Sequence, residues 1–553
     1  MNPGSYRMKW WGWGSESVRY NIEENPGIAR YLLDKFNIKK IRGQPEFRIE
    51  NINIPDSRLD SLLLGEFINE LGASICSTKP IDRLHHSCGQ SYPDIVKKRS
   101  MNIDNAPDAV FYPKSEGDIR TIIRLAEKHK MALIPFGGGT SVVGGVEPQD
   151  NGLGLTGTVN MTYMNKILEI DTISCTANIQ AGIFGPELEA GLNKKGFTLG
   201  HFPQSFEFST LGGWIAPRSS GQNSLLYGGI EKLVVSVKML SPTGEINTHT
   251  SPRRADGPDL KELVLGSEGV LGIIVSAVLR IVPLPEEKKY FLYAFRGFDE
   301  AAAASRKIVQ SGIRPAMIRA SDEDETEAFI TMAKGKESGI AVYIKAGIAK
   351  ILLESKGIQP PNISFVLIGL EGTRADNQIN RRKIDTLLKD FNCANLGLSP
   401  GKRWLKERFL LPYLREELLN NNLLVDTLET AGEWSKLMNL YREVKKAMES
   451  VSNVERLPIS VMTHISHLYP DGASLYFTFI TPQRKTDLIA QWEELKEAAN
   501  EAIRTNGGAV SHHHGIGSYH KRYLPWNETE RNLVKQLKST LDPHGVMNPG
   551  KLL

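Results

Sequence analysis

PFGGGTSVVGG, at Pro135–Gly145, follows the apolar run Met131–Ile134 and has the make-up of a ligand-binding loop. Its three consecutive glycines, Gly137–Gly139, allow positive φ angles and a close approach between backbone and ligand. Successive backbone N–H groups in such a turn form an anion-binding concavity. The loop lacks the Lys-Ser/Thr pair of a Walker motif and the G-x-G-x-x-G spacing of a Rossmann turn. The sequence therefore predicts a diphosphate-binding loop, with a glycine-rich surface hairpin as the alternative.

The composition is that of an ordinary globular protein, because 41% of the 553 residues are hydrophobic and 24% are charged. A net charge of +4 does not indicate the clustered basic face that nucleic acid requires. The four cysteines are widely spaced, which argues against a disulfide framework and a cysteine-based zinc site. The amino terminus has no signal-peptide pattern, and no stretch approaches the roughly 20 apolar residues of a membrane span. We therefore expect a cytoplasmic protein that binds no nucleic acid.

An aromatic cluster near the amino terminus, formed by Trp10, Trp11 and Trp13, has two interpretations. Tryptophan is enriched at the interface of a lipid bilayer, so the cluster could provide a peripheral membrane contact. A short cluster of this kind more often packs onto its own domain. The pattern alone leaves both interpretations open.

Two further glycine-rich patches follow the first, at His201–Gly229 and Gly266–Gly272. They belong to one α+β pattern that begins with a predicted strand at Ala109–Tyr112. A helix should start after Ser115, because Ser115 and Asp118 have the spacing of a capping box. Turns alone do not explain three glycine patches within one domain. Together they favour one large, flat cofactor that is contacted by several loops.

The pattern divides the chain into four segments. We predict an N-terminal extension at residues 1–104, a cofactor-binding domain at 105–285, a substrate domain at 286–505, and a C-terminal segment at 506–553 that returns to the cofactor domain and the active site. Apolar periodicity predicts further elements. These are helices at Asp56–Leu71, Asp299–Ser311, Gln378–Phe391, Gly432–Val451 and Thr486–Thr505, and strands at Ile167–Ile170, Thr176–Ile179, Ile363–Ile368 and Leu475–Thr481.

The ordered set PDAVFYPKSEGDI, PFGGGTS, STLGGW, GSEGVLGII and LDPHGVMNPGKLL resembles the FAD-binding family of vanillyl-alcohol oxidase and D-lactate dehydrogenase. Within that family, MKWWGWG, TLGHFPQSFEFSTLGGW, RPAMIRASDE, LYFTF and SHHHGIG are most similar to alkyldihydroxyacetonephosphate synthases, also called alkylglycerone-phosphate synthases. The segment HISHLYPDGASLYFTF looks more like prokaryotic members. The resemblance implies an α+β fold, with a two-lobed FAD-binding domain of the vanillyl-alcohol oxidase type and an α+β cap domain.

The same resemblance implies a non-covalent FAD and a transferase reaction. Such an enzyme exchanges the acyl chain of acyl-dihydroxyacetone phosphate for a long-chain alcohol, which gives an ether-lipid precursor without net oxidation. We also expect a homodimer. The first alternative is an FAD-dependent dehydrogenase or oxidase of a 2-hydroxy acid such as D-lactate or glycolate, and the second is a non-catalytic FAD-bound scaffold.

The expected FAD contacts come from the three glycine patches and the residues beside them. They are Pro135, Phe136, Gly137, Gly138, Gly139, Thr140, Ser141, Pro203, Ser209, Thr210, Gly212, Gly213, Trp214, Arg218, Ser219, Ser220, Gly221, Gly266, Glu268, Gly269, Gly272, Ile273 and Ile274.

The histidine triplet His512–His514 is the most unusual local feature of the sequence. We expect His514 to act as a general base, because imidazole titrates near neutral pH, and we include His513 in the site. In an extended segment, His512 and His514 would face one way and His513 the other. Tyr476 matches the active-site tyrosine of the synthases, which suggests a proton partner for His514. The alternatives are histidines hydrogen-bonded around a tight turn and a core tyrosine.

Arg319 and Arg415 match positions where the synthases place arginines near the substrate. A guanidinium fork pairs well with phosphate or carboxylate, although Arg415 could instead form a solvated ion pair with its glutamate neighbours. His201 is a further catalytic candidate beside the flavin. We predict no metal, although His464 and His467 could complete a site with the histidine triplet.

Overall fold

The computed structural model describes residues 6–43, 45–334 and 350–553. Its strands are β1 (Cys76–Ser77), β2 (Ala109–Phe111), β3 (Met131–Phe136), β4 (Leu155–Asn160), β5 (Ile167–Asp171), β6 (Thr176–Gln180), β7 (Phe197–Thr198), β8 (Val234–Ser241), β9 (Gly244–Asn247), β10 (Ile273–Arg280), β11 (Val282–Pro283), β12 (Glu287–Phe295), β13 (Met317–Ser321), β14 (Ser364–Gly372), β15 (Ala394–Gly397), β16 (Leu423–Glu433), β17 (Ser460–Leu468) and β18 (Gly472–Pro482).

The α-helices whose bounds lie within the described ranges connect and cover these strands. They are Pro26–Phe36, Ser61–Leu71, Pro80–His85, Tyr92–Arg99, Glu116–His129, Gly185–Asn193, Leu211–Ile215, Ser224–Tyr227, Ile230–Leu233, Lys261–Val264, Phe298–Gln310, Glu323–Lys334, Arg374–Leu387, Ser399–Glu407, Leu411–Asn420, Trp434–Glu455, Leu488–Thr505 and Glu528–Leu541. Within the described ranges, no helix is both long and apolar enough to cross a bilayer.

Two sheets and their helices form what we call the glycine-loop lobe. The first sheet has the strand order β1-β2-β4-β3, in which β2, β4 and β3 are parallel. The second sheet has the order β5-β6-β10-β8-β9 and is antiparallel, including the predicted pair β5 and β6. The capping box predicted at Ser115 and Asp118 is present, and it starts the helix Glu116–His129.

A seven-stranded antiparallel sheet forms the second lobe, which we call the cap lobe. Its strand order in the described chain is β15-β12-β14-β13-β17-β18-β16. Apolar side chains of Phe298–Gln310, Trp434–Glu455 and Leu488–Thr505 share one hydrophobic core with this sheet. Successive strand side chains alternate between faces. Leu475 and Phe477 are therefore fully buried in that core, which leaves Tyr476 on the opposite face.

The N-terminal residues contribute to both lobes. Strand β1 pairs with β2 in the glycine-loop lobe. The helix Pro26–Phe36 belongs instead to the core of the cap lobe, through Ile28, Leu32 and Phe36. The tryptophans of the aromatic cluster are 7–8% exposed, and Trp11 stacks on Phe47 with a ring separation of 4.9 Å. The cluster is therefore packed against the protein itself.

Capping side chains explain where two helices depart from the predicted bounds. The helix expected at Gln378–Phe391 begins at Arg374, because the Thr373 side chain accepts the N–H of Asp376. The helix expected from Asp56 begins at Ser61, because the Asp60 side chain accepts the N–H of Leu63. Side-chain caps of this kind satisfy backbone donors that have no partner within the helix.

Candidate active site

A cavity of about 520 Å³ is lined by residues of both lobes, a volume typical of small-molecule sites. The glycine loop lines one part of it. Strands β13, β16, β17 and β18 of the cap lobe line another part, together with His513 and His514. The predicted cofactor loop and most of the predicted catalytic residues therefore meet at one cavity.

The C-terminal segment holds the two ends of the glycine loop. The N–H of Leu133 donates to the carbonyl oxygen of Val546 at 2.7 Å. Nδ2 of Asn548 donates to the carbonyl oxygen of Gly145 at 3.2 Å. These contacts attach strand β3 and the end of the glycine loop to a segment more than 400 residues away in the chain.

The glycine loop has the features that a diphosphate site requires. A Cβ atom at Gly138 would lie 1.5 Å from the carbonyl oxygen of Phe208, so only glycine lets these two segments pass each other. The amides of Gly138, Gly139 and Thr140 donate to no other group of the described residues. Backbone N–H groups are obligatory donors, and these three lie on residues that line the cavity. The loop therefore fits the phosphate oxygens of FAD.

Most of the expected FAD-contacting residues line the cavity. These are Pro135, Phe136, Gly137, Gly138, Gly139, Thr140, Ser141, Pro203, Ser209, Thr210, Gly212, Gly213, Trp214, Ser219, Ser220, Glu268, Gly269, Gly272, Ile273 and Ile274. The structure places Arg218, Gly221 and Gly266 outside the lining.

Those three residues shape the loops instead. Arg218 donates through Nη2 to Glu262 at 2.8 Å near the surface. A Cβ atom at Gly266 would lie 2.9 Å from Cδ of Arg218, and one at Gly221 would lie 2.5 Å from the backbone nitrogen of Phe202. Close packing against adjacent residues of the same chain therefore accounts for both glycines without a cofactor contact.

His201 also lies behind the lining. Its Nε2 is 2.9 Å from Oγ of Ser219, and its ring lies 5.0 Å from that of Trp214. Complete burial lowers the pKa of His201 to about 3, so the ring is neutral. The structure therefore connects His201 to the cavity through Ser219, which lines it, rather than by direct exposure.

Glu268 lines the cavity, but its carboxylate accepts hydrogen bonds from the protein backbone. Its oxygens accept the N–H groups of Ile516 and Gly517, each at 2.7 Å. Burial raises the pKa of Glu268 to about 7. Glu268 therefore fixes the chain just after the histidine triplet.

The histidine triplet is not extended, contrary to the expected alternation of its side chains. His513 and His514 both line the cavity, whereas His512 does not. The segment bends because a buried carboxylate, that of Glu429, accepts the backbone N–H groups of all three histidines, at 2.6, 3.1 and 2.9 Å. One carboxylate cannot accept hydrogen bonds from three successive backbone N–H groups of an extended strand.

His514 and Tyr476 face each other, with ring centroids 5.5 Å apart and nearly perpendicular planes. Burial lowers the pKa of His514, and the negative charge of Glu429 opposes that shift. His514 is therefore neutral at pH 7 and can accept a proton. The hydroxyl of Tyr476 donates to Oγ1 of Thr427 at 3.1 Å, and burial raises the pKa of Tyr476 to about 12. Tyr476 therefore keeps its proton.

Arg415 lines the cavity and has two hydrogen-bond donors without a partner in the described chain. Its Nη1 donates to the carbonyl oxygen of Gln90 at 2.6 Å. Its Nε and Nη2 are buried without a partner in the described chain, although Arg415 lines the cavity. The adjacent Glu416 pairs instead with Arg99 at 2.6 Å. The arrangement differs from a solvated ion pair and is suited to an anionic ligand.

Arg319 also lines the cavity, but its charge is shared with a neighbour. Its Nη2 donates to Oε1 of Glu325 at 2.8 Å and lies 3.1 Å from Nδ1 of His464. Burial opposes the ionisation of Glu325, but Arg319 and His464 lower the pKa of Glu325 to about 2. The Arg319 guanidinium is therefore largely compensated, with Nε unpaired among the residues that the structure describes.

Three histidines offer a group of ring nitrogens within 4.8 Å of one another, namely His467, His512 and His513. These rings already have partners. Nδ1 of His467 is 2.8 Å from Oγ of Ser224, and Nδ1 of His512 is 3.0 Å from Nδ1 of His513. The predicted absence of a metal stays a prediction.

The sequence did not indicate two carboxylates of this site or the contribution of the N-terminal residues. Glu325 and Glu429 lie far from the glycine patches, although an acidic residue within the buried strand β16 was a signal for Glu429. The N-terminal residues Trp13, Ile28 and Leu32 also line the cavity.

Two family models match the chain. The "FAD binding domain" covers residues 107–249, and the "FAD linked oxidases, C-terminal domain" covers residues 284–552. They confirm the prediction that FAD is the cofactor.

Similar proteins indicate the family more closely. An alkyldihydroxyacetonephosphate synthase of Dictyostelium discoideum is 36% identical over 92% of this chain and 83% of its own length. That of Trypanosoma brucei brucei is 33% identical over 99% of this chain and 92% of its own. A solved structure of an alkyldihydroxyacetonephosphate synthase matches with a TM-score of 0.86 at 31% identity, covering 98% of both chains.

These matches confirm the predicted α+β fold with an FAD-binding domain and a cap domain, and they confirm the resemblance stated from the motifs. The chain belongs to the alkyldihydroxyacetonephosphate synthase family.

Proposed function

We propose that this protein is an FAD-dependent alkylglycerone-phosphate synthase. It exchanges the acyl chain of acyl-dihydroxyacetone phosphate for a long-chain alcohol. The bond between the dihydroxyacetone carbon and the ester oxygen breaks, and the acyl chain leaves as a carboxylate. The alcohol oxygen then forms the ether bond to that carbon. The alcohol proton passes to a base, so the reaction involves no net oxidation.

One observation carries this proposal: a single cavity is lined by a diphosphate cradle, two arginines and an apolar region. The apolar region is formed by helices from three parts of the chain. Its lining residues are Ile28, Leu32, Ala328, Phe329, Met332, Leu411, Leu414 and Leu418. Burial of each methylene group contributes about 0.8 kcal/mol, so this lining favours substrates with long alkyl chains.

The site residues have distinct tasks in this exchange. FAD, when bound, supplies the reactive ring on which the exchange depends. Neutral His514 takes the proton, with protonated Tyr476 as its partner. Arg415 and Arg319 hold the anionic groups of the substrate, with the guanidinium fork of Arg415 suited to bidentate binding.

The decisive experiment separates transfer from oxidation. Purified enzyme is supplied anaerobically with acyl-dihydroxyacetone phosphate and hexadecanol, and the ether product is measured by mass spectrometry. In parallel, the flavin absorbance is followed after addition of lactate, glycolate, glycerol 3-phosphate or other 2-hydroxy acids. We expect ether formation and no bleaching. Rapid bleaching by a hydroxy acid, reversed by oxygen or a dye, with no ether product would favour the dehydrogenase alternative.

We expect FAD to be held without a covalent bond. The sequence has no convincing match to the segments through which related enzymes attach FAD to His or Cys. Acid precipitation of the yellow protein should leave the flavin in the supernatant, where its absorbance is measured. Flavin that stays with the pellet would contradict this prediction.

Long-chain alcohols and acyl-dihydroxyacetone phosphate partition into lipid, so we also propose a peripheral membrane contact through which the apolar region takes up its substrates. The buried tryptophans do not supply this contact. Vesicle flotation of the holoenzyme would test it.

The cytoplasmic location and the homodimer stay predictions.

A further inference from the structure

Glu429 is a buried carboxylate in the middle of strand β16. It is 3% exposed and pairs in register with Tyr476 of β18. Burial of a charged group is costly unless hydrogen bonds and nearby charges compensate for it. A carboxylate at this place therefore requires a set of donors, and the histidine turn provides that set.

Four donors from one short segment converge on Glu429. Oε1 accepts from Oγ of Ser511 at 2.7 Å and from the N–H groups of His513 and His514 at 3.1 and 2.9 Å. Oε2 accepts from the N–H of His512 at 2.6 Å. The path of residues 511–514 is therefore set by this one side chain.

The same carboxylate faces two of the imidazole rings. Its Oε2 lies 3.6 Å from Nδ1 of His513, and its Oε1 lies 3.8 Å from Nδ1 of His514. A negative charge on the Nδ1 side favours the tautomer that carries its proton on Nδ1, which leaves the Nε2 lone pair available. A carboxylate has this orienting task beside other catalytic histidines.

We propose that Glu429 is the positioning residue of the site: it bends the histidine turn, orients the His514 ring and directs Nε2 of His514 towards the substrate. The proposal deepens the proposed function, because it rests on the assignment of His514 as the base. Glu429 acts through His514 and does not itself touch the reacting atoms.

Glu429 also affects the charge of His514. Burial lowers the pKa of His514, Glu429 and Asp426 oppose that shift, and Lys496 and His512 add to it. The other ionisable side chains around this position are those of His464 on β17, Tyr476 on β18, and His513 and His520 on the same segment. Removal of the Glu429 charge should therefore lower the pKa of His514 further.

The test is Glu429→Gln in the FAD-loaded enzyme. Glutamine keeps the size of the side chain, but it removes the charge and offers only one acceptor oxygen. We expect kcat to fall about 10- to 100-fold, because general acid–base catalysis typically contributes about 10²–10⁴-fold and a misplaced base retains part of it. The acid limb of kcat/KM should move to lower pH by about half a unit or more, which a purely structural defect would not cause.

Glu433→Gln is the matched control, because Glu433 is exposed at the end of the same strand and pairs with Lys436 at 2.9 Å. FAD content and flavin absorbance should be unchanged in both variants.

A Glu429→Gln enzyme with the wild-type acid limb would overturn the proposal. If Glu429→Gln does not fold, Glu429→Asp decides, because its charge lies farther from His514: a lowered kcat with the acid limb at lower pH supports the proposal, and a wild-type kcat or an unmoved acid limb overturns it. Failure of the proposed function would differ, since wild-type enzyme would then form no ether.

Discussion

His514→Gln is expected to lower kcat by about 10²–10⁴-fold, the usual contribution of a general base, while FAD remains bound. Glutamine approximates the reach of histidine but cannot accept a proton at neutral pH. The backbone N–H of residue 514 would still donate to Glu429, as that of His514 does at 2.9 Å. The turn and the FAD cradle should therefore persist, so the loss would lie in the chemical step.

The pH dependence gives an independent check on this assignment. A base acts in its deprotonated form, and burial lowers the pKa of His514 below the usual value, which is about 6.5. The neutral form therefore persists to lower pH. The acid limb of the wild-type kcat/KM profile should lie below about pH 6.5, and it should be absent from the residual activity of His514→Gln.

The control for His514→Gln is His544→Gln. His544 is 66% exposed at its side chain and pairs with Glu127 at 2.9 Å, and neither residue lines the cavity. This variant should keep the wild-type rate, FAD content and melting temperature. Normal turnover by a folded, FAD-loaded His514→Gln enzyme would remove His514 from the mechanism.

Local sequence was a good guide wherever a backbone conformation determines the residue. The glycine loop shows this, because Gly138 has no room for a Cβ atom beside Phe208. The capping box at Ser115 and Asp118 is another example, since its hydrogen bonds join residues three positions apart. Such constraints are short-range, so the motif and its structural consequence lie in the same few residues.

Side-chain direction in the second glycine patch could not be predicted in the same way. His201 and Ser219 lie in one patch, yet Ser219 lines the cavity and His201 lies behind it. Arg218 is adjacent to Ser219, but it extends to Glu262 near the surface. Which of these neighbours faces a ligand depends on the packing of distant strands, and that information is not present in the patch itself.

Glu429 was missed because its partners are remote in sequence. Glu429 meets the histidine triplet over a separation of more than 80 residues, and the link depends on the register between β16 and β18. The helix Pro26–Phe36 was not predicted, and its packing into the core of the cap lobe joins it to residues far along the chain. Pairing between distant elements is therefore the part that the sequence alone did not determine.

Arg415→Ala is expected to lower kcat/KM for acyl-dihydroxyacetone phosphate roughly 10- to 150-fold, because a hydrogen bond to a charged group contributes about 1.5–3 kcal/mol and about 1.4 kcal/mol corresponds to a tenfold rate change. The reason is that Nε and Nη2 of Arg415 are buried at the cavity without a partner in the described residues. Arg415→Lys should also be harmful, since an ammonium group cannot reproduce the guanidinium fork.

The contrast with Arg319 sharpens this prediction. Arg319→Ala would leave Glu325 buried without its partner at 2.8 Å, and breaking a buried pair typically costs about 3–5 kcal/mol of stability. We therefore expect Arg319→Ala to lower the melting temperature more than Arg415→Ala, and to affect kcat/KM less than Arg415→Ala in the fraction that retains FAD.

The exposed Arg442, which pairs with Asp299 at 2.6 Å, provides a control arginine-to-alanine change. KM for the alcohol should stay constant in Arg415→Ala, because the alcohol carries no anionic group for the guanidinium to bind. If Arg415→Ala and Arg319→Ala both keep full kcat/KM with intact FAD content, these arginines do not hold the anionic end of the substrate.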